Sequence, residues 1–165
     1  MNYFDDVKNI KALSEIIDSW KGTPYKHLES IKGRGVDCTL FIGNCLKELG
    51  ILSEVKYDYC PSDWYVHSHD QFLVDKFHEH WDNYLLPELE CVEYPYEKNF
   101  ELVYGDILIF TMMPKSPVKN HASIFTGCNK MVQSTQGRNV GEIQLGNFFK
   151  KRLTDIFRIE VIGWL

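Results

Sequence analysis

Residues 22–50 read GTPYKHLESIKGRGVDCTLFIGNCLKELG, and the reading of this stretch turns on Cys38. Gly22-Thr23-Pro24 interrupts whatever precedes it, and a glycine-rich loop follows. From Cys38 onward the pattern changes. Leu40, Phe41, Ile42, Cys45, Leu46 and Leu49 cover much of the circumference of a helix over 38–49, so that helix is expected at the centre of the molecule. Gly50 is placed to cap its C-terminus. Cys38 therefore opens a buried helix, directly after the short acceptor Asp37, which reads as its N-terminal cap. The first turn carries unpaired backbone N–H groups and the positive end of the dipole. Both favour thiolate over thiol, and thiolate is the nucleophile.

Upstream, Val7, Ile10, Leu13, Ile16, Ile17 and Trp20 recur at helical spacing and predict an amphipathic helix over 5–20. Residues 51–67 are irregular and polar-aromatic. A third helix is expected from near Ser68, where Ser68 and Gln71 fit a capping box. Its inner face would be Phe72, Leu73, Phe77, Trp81 and Tyr84, and Pro87 ends it. The C-terminal half changes character. Segments 106–112, 122–127, 130–135, 142–145 and 155–165 are short and rich in β-branched and aromatic residues. Pro114, Pro117, Gly127-Cys128-Asn129 and Gly137 separate them. Residues 147–153, NFFKKRL, read as a helical turn. Helices first and an antiparallel sheet afterwards define an α+β class. The 165 residues suit a single domain, without repeats or linkers.

A cysteine nucleophile needs a proton donor for its leaving group, usually histidine. His121 stands at the start of a predicted strand, from which a side chain can reach a helix N-terminus. A hairpin at Gly127-Cys128-Asn129 would set Gln133, in the next strand, beside His121. The amide oxygen of Gln133 would then accept the imidazole N–H and fix the ring's orientation and tautomer.

These residues carry a resemblance. Trp20 with GTPY, then GVDC ending at Cys38, and far downstream GDILIF and HASIFTGCNKMVQ, resemble the NlpC-type family of papain-like cysteine peptidases. The matching positions are Tyr25, Asp37, Cys38, Gly105-Asp106, His121 and Gln133, and the likeness runs from Trp20 to about Arg158. GTPYKH, PSDW, NHASIF and NFFKKRL are more similar to the subgroup of cell-wall peptidases in phage tails and gene transfer particles. The resemblance implies a papain-like fold in which the Cys38 helix packs on an antiparallel sheet. It implies hydrolysis of amide bonds in peptidoglycan stem peptides, of the γ-D-glutamyl–diamino acid type. Cys38 would be the nucleophile, His121 the general base and acid, and Gln133 the orienting residue. Tyr25 would lie beside the thiol as an oxyanion donor, with the Cys38 backbone N–H as another, and Asp37 would border the same subsite. The family usually has DCSG where this chain has DCTL, so Leu40 is expected to narrow the cleft. The third catalytic position is commonly His, and here it is Gln133. Residues 51–100 form an insert between the Cys and His halves, expected to add a lid or docking surface.

A net charge of −5 argues against nucleic acid as the partner. The N-terminus has no apolar core of signal-peptide type, and no run approaches a membrane span. Cytoplasmic synthesis, with carriage in a virion or tail-like particle, is the expectation, together with tail-assembly proteins as partners. Five cysteines with no C-x-x-C do not read as a disulfide framework. No cofactor is expected. His67 with His69 and His78 with His80 invite a metal reading; on a helix His78 and His80 point apart, a zinc site using Cys60 is the minor alternative, and no metal is assigned. Two classes of function fit: an active cysteine hydrolase, and a structural or binding tail component whose site is weakened by Leu40 and Gln133.

Overall fold

The structure, a computed structural model, describes residues 1–163. A short 3-10 turn at Tyr3–Asp5 leads into α1 (Val7–Trp20). A small hairpin, β1 (Ser30–Ile31) and β2 (Gly35–Val36), precedes α2 (Cys38–Glu48). Next come α3 (Trp64–His67), α4 (Phe72–Tyr84) and β3 (Leu89–Pro95). The remainder is β4 (Ile107–Phe110), β5 (His121–Gly127), β6 (Lys130–Gln133), β7 (Gly141–Gln144), α5 (Asn147–Lys150) and β8 (Leu153–Val161). Six strands form one antiparallel sheet in the order β3-β8-β4-β5-β6-β7. The α+β expectation holds, with α2 lying against β5.

Both faces of the sheet are covered, which explains the uninterrupted apolar run of β4. Ile107 and Ile109 face α1, α2 and α4, in a core with Leu13, Phe41, Leu46 and Phe77. Leu108 and Phe110 point to the other face, where Phe125, Met131, Leu145 and Ile156 close a second cluster. A strand buried on both sides has no polar alternation to show.

Several expectations shift. Val7, counted on the inner face of the first helix, is exposed, because Asp6 caps α1 through the Lys8 N–H at 2.8 Å and puts Val7 at the helix's outer start. The capping box at Ser68 does not form. Ser68 Oγ instead donates to Asp70 and accepts from its backbone N–H, and the helix begins four residues later than its expected cap, at Phe72. That start changes the buried face to Leu73, Val74, Phe77 and His80, and leaves Phe72 at the surface. Trp81 stacks on Phe77 and meets Phe157 edge-on. The strand expected over 155–165 runs from Leu153 to Val161, and positions 164 and 165 lie outside the described residues. β3 was not anticipated. Its glutamates, Glu90 and Glu93, lie on an edge strand, where charge discourages pairing with a further strand.

Gly105-Asp106, part of the family pattern, is structural. Gly105 has φ +87°, and a Cβ there would collide with the Phe4 ring. The buried Asp106 carboxylate takes a two-pronged ion pair from Arg158, with Nε to Oδ1 and Nη2 to Oδ2 both 2.8 Å, and the Val103 N–H at 2.9 Å. It stitches the loop before β4 to β8.

Candidate active site

Asp37 caps α2. Its Oδ1 accepts from the Leu40 N–H at 2.9 Å and the Thr39 hydroxyl at 3.0 Å, and its Oδ2 from the Leu28 N–H at 2.8 Å. Asp37, expected to border the substrate subsite, caps the helix and also lines a cavity beside Cys38. The carboxylate is buried, and both of its oxygens are engaged by these donors. It anchors the Tyr25–Leu28 loop to the start of α2. His27 extends the anchor: its Nε2 donates to the Cys60 carbonyl at 2.6 Å, and its Nδ1 lies 3.9 Å from Asp37 Oδ2. The insert is thereby tied to the cap of the cysteine helix.

With the Leu40 N–H given to Asp37 and the Phe41 N–H to the Asp37 carbonyl, the N–H groups of Cys38 and Thr39 remain. Both face the Cys38 sulfur, as does the N–H of Ala122 from β5. The thiol therefore approaches the sheet one residue from His121. The three donors do not leave it a resting thiolate. Burial and the neighbouring Asp37 charge dominate and push the Cys38 thiol up to about 12, against the expectation from helix position alone. The helix terminus acts in the anticipated direction and is outweighed.

His121 and Gln133 meet as the hairpin requires. Cys128 and Asn129 have φ of 48° and 58°, the left-handed pair of a two-residue turn, and β5 and β6 pair across it. His121 Nε2 lies 2.7 Å from Gln133 Oε1. An amide oxygen only accepts, so Nε2 carries the proton and Nδ1 holds the free lone pair. The imidazole packs against the Phe110 ring, 5.8 Å between centroids, and is itself buried. Burial lowers its pKa below the ordinary 6.5, partly offset by Gln133.

Two cavities meet at Cys38. One, of about 270 Å³, is bounded by Tyr25, Cys38, Tyr57, Trp64, Tyr65 and Phe72. The other, of about 770 Å³, is bounded by Tyr25, Cys38, Asn120, His121, Gln133 and Arg138. The four expected site residues Tyr25, Cys38, His121 and Gln133 thus border one space. Burial, then Cys38, then Asp37 raise the Tyr25 phenol, and its hydroxyl has no hydrogen-bond partner among the described residues. Leu40 borders neither cavity; it is buried in the core with Phe41 and Ile42, because the residue two past the thiol turns inward on a helix. It does not narrow the cleft. The insert does supply one wall, through Tyr57, Trp64, Tyr65 and Phe72, whereas Trp81 belongs to the core.

His78 and His80 lie on α4, whereas His67 ends α3 and His69 lies outside any helix. His67 meets Asp63 at 3.0 Å, His78 meets Glu93 at 2.9 Å, and His80 bridges the Lys76 carbonyl and the Lys56 N–H. Among the described residues no group of three His, Cys, Asp or Glu side chains is placed to hold a metal. Sequence reading missed the Ala122 N–H, a backbone group without a side-chain signature, and Arg138, whose exposed turn carries no motif.

A six-stranded antiparallel sheet with a cysteine-bearing helix against its centre matches the NlpC/P60 class of papain-like folds. An NlpC/P60 family protein from Bacillus cereus ATCC 10987 superposes with TM-score 0.54 at 18% identity, over 88% of this chain and 39% of that one. A lipoprotein-like NLP/P60 family protein from Staphylococcus aureus gives 0.57 at 15%, over 96% and 43%. NlpC2 from Trichomonas vaginalis gives 0.55 at 15%, over 96% and 48%. The chain spans less than half the length of each, and at these identities the likeness is one of fold. A family model described as "Putative amidase domain" matches residues 8–140, and the chain belongs to that amidase family. No curated protein sequence matches significantly. No helix among the described residues is long and apolar enough to cross a membrane.

Proposed function

We propose that this chain is a cysteine peptidase that hydrolyses amide bonds in peptidoglycan stem peptides, at γ-D-glutamyl–diamino acid linkages. The observation that carries the reading is the 2.7 Å bond between His121 and Gln133, on the wall of the cavity that Cys38 opens into. His121 Nδ1 takes the thiol proton as the Cys38 sulfur bonds to the scissile carbonyl carbon. The carbonyl oxygen gains negative charge, opposite the N–H groups of Cys38 and Thr39 and the Tyr25 hydroxyl. The C–N bond breaks as Nδ1 returns the proton to the amine. Water, deprotonated by the same nitrogen, then hydrolyses the thioester and restores the thiol. Gln133 holds Nε2–H throughout. A raised thiol beside a lowered imidazole rests as a neutral pair, so proton transfer accompanies attack instead of preceding it.

Delivery by a phage tail or tail-like particle rests on the motifs GTPYKH, PSDW and NFFKKRL. A second reading, a weakly active or inert component of such a particle, draws on the raised Cys38 thiol. Turnover of purified cell wall decides between them. Wild type should release stem-peptide fragments, and Cys38→Ala should lose about 10⁴-fold or more of that rate while staying folded. Equal turnover by the two proteins would remove the mechanism; no turnover by either favours the inert component.

A further inference from the structure

The two cavities flanking Cys38 differ in charge, and the difference bears on which part of the substrate lies where. His121 and Gln133 border the larger cavity and not the smaller one. On the reaction proposed above, His121 protonates the leaving amine, so the amine half of the substrate occupies the larger cavity. Its wall holds two ionised side chains, Asp63 and Arg138. Asp63 is engaged with His67 at 3.0 Å. Arg138 has no ion pair and no side-chain hydrogen bond among the described residues. The nearest acid on β7, Glu142, is already taken by the Thr126 hydroxyl at 2.8 Å and by Lys130 at 3.6 Å.

The backbone that carries the exposed Arg138 side chain is nonetheless held in place. The Arg138 N–H donates to the Thr135 carbonyl in a turn closed by Gly137 at φ +79°. Before that turn, Ser134 Oγ donates to the Val36 carbonyl at 2.7 Å. After it, Asn139 pairs with Pro24, and the Val140 N–H donates to the Thr23 carbonyl at 2.8 Å. The turn is therefore pinned between Gln133 and the Tyr25 loop, and Arg138 lines the cavity that Tyr25 and Gln133 also border. In a chain of net charge −5, an unpaired guanidinium on the leaving-group wall is matched to an anion.

We propose that Arg138 is a specificity-determining residue that binds a free carboxylate on the amine half of the substrate. The inference rests on the amidase reading and adds to it the charge of the leaving group.

Two synthetic substrates test it: γ-D-glutamyl-lysine and γ-D-glutamyl-lysinamide, which differ only in that carboxylate. Wild type should prefer the carboxylate by roughly tenfold in kcat/KM, mostly through KM, the size expected of a charge-assisted contact at a partly wet site. In Arg138→Gln the ratio should collapse to about one, and Arg138→Lys should recover part of it. An unchanged ratio in Arg138→Gln would overturn the proposal. Calorimetry on Cys38→Ala protein measures the same preference without turnover. If wild type cleaves neither compound, the peptidase reading fails on its own. A carboxylate preference in binding that Arg138→Gln abolishes would still support the site, and equal binding of the two compounds would overturn it.

Discussion

Gln133 Oε1 accepts a 2.7 Å hydrogen bond from His121 Nε2 across neighbouring strands, with both side chains buried. A neutral acceptor fixes the tautomer without adding charge, and that separates three substitutions. Gln133→Ala should lower kcat by about 10–100-fold with little change in KM, because the ring loses its orientation and not its contact with substrate. Gln133→His should keep much of the rate, since an imidazole nitrogen accepts the same bond. Gln133→Glu should raise the His121 pKa and carry the acid limb of the rate profile upward. If Gln133→Ala turns over like wild type, the bond has no part in the chemistry.

The pH profile follows from the two shifts. His121 is lowered from 6.5, so it stays a free base to more acid pH, and the acid limb of kcat/KM should lie below the ordinary histidine range. The unfolded chain protonates this histidine first, so stability should decline as pH falls below about 6.5. The raised thiol has the opposite sign. Its contribution is present below 9.0 and fades as pH climbs towards about 12. Alkylation of Cys38 should keep accelerating through that alkaline range, and a plateau near neutrality would contradict the neutral-pair resting state.

Asp37 separates capping from charge. Asp37→Asn keeps an acceptor for the Leu40 N–H and removes the carboxylate beside the thiol, so Cys38 should alkylate faster near neutral pH at small cost in stability. Asp37→Ala loses the cap as well and should cost roughly 1–2 kcal/mol in denaturant melts. Slower alkylation in Asp37→Asn would mean that the carboxylate does not oppose ionisation.

Substrate choice is checked by competition. Purified stem peptides offered together with unfolded casein should be cut preferentially, with products read by mass spectrometry. The aromatic wall of Tyr57, Trp64 and Tyr65 restricts the space on one side of Cys38, which favours a short chain. A site fitted to a D-centre should accept an all-L peptide poorly. Casein cleaved at comparable efficiency would make this a general protease.

The meeting of Cys38, His121 and Gln133 on one cavity was legible from local signals, whereas Tyr25 followed only from the family resemblance. A thiol opens an apolar helix, and a turn at Cys128-Asn129 fixes which residues of two strands adjoin. The direction of the Cys38 shift was not legible. It is the sum of burial by distant segments and a single adjacent charge, and sequence shows only the helix position. Leu40 misled for a related reason: its neighbour Thr39 faces the cavity, and one step along a helix rotates a side chain into the core. Ser68 offered a capping pattern that Asp70, two residues on, satisfied first. β3 carries glutamates because it is an edge, which gives it the look of an insert.

Ser134 Oγ donates to the carbonyl of Val36, two residues before the nucleophile, while Gln133 next to it turns to His121. Successive residues of one extended segment thus serve opposite faces of the sheet. A slip of one position would carry the glutamine away from the imidazole and the serine away from its carbonyl together. Misthreaded copies of this hairpin would fail as folds and as catalysts at once, so the bond that orients the base also proofreads the architecture around it.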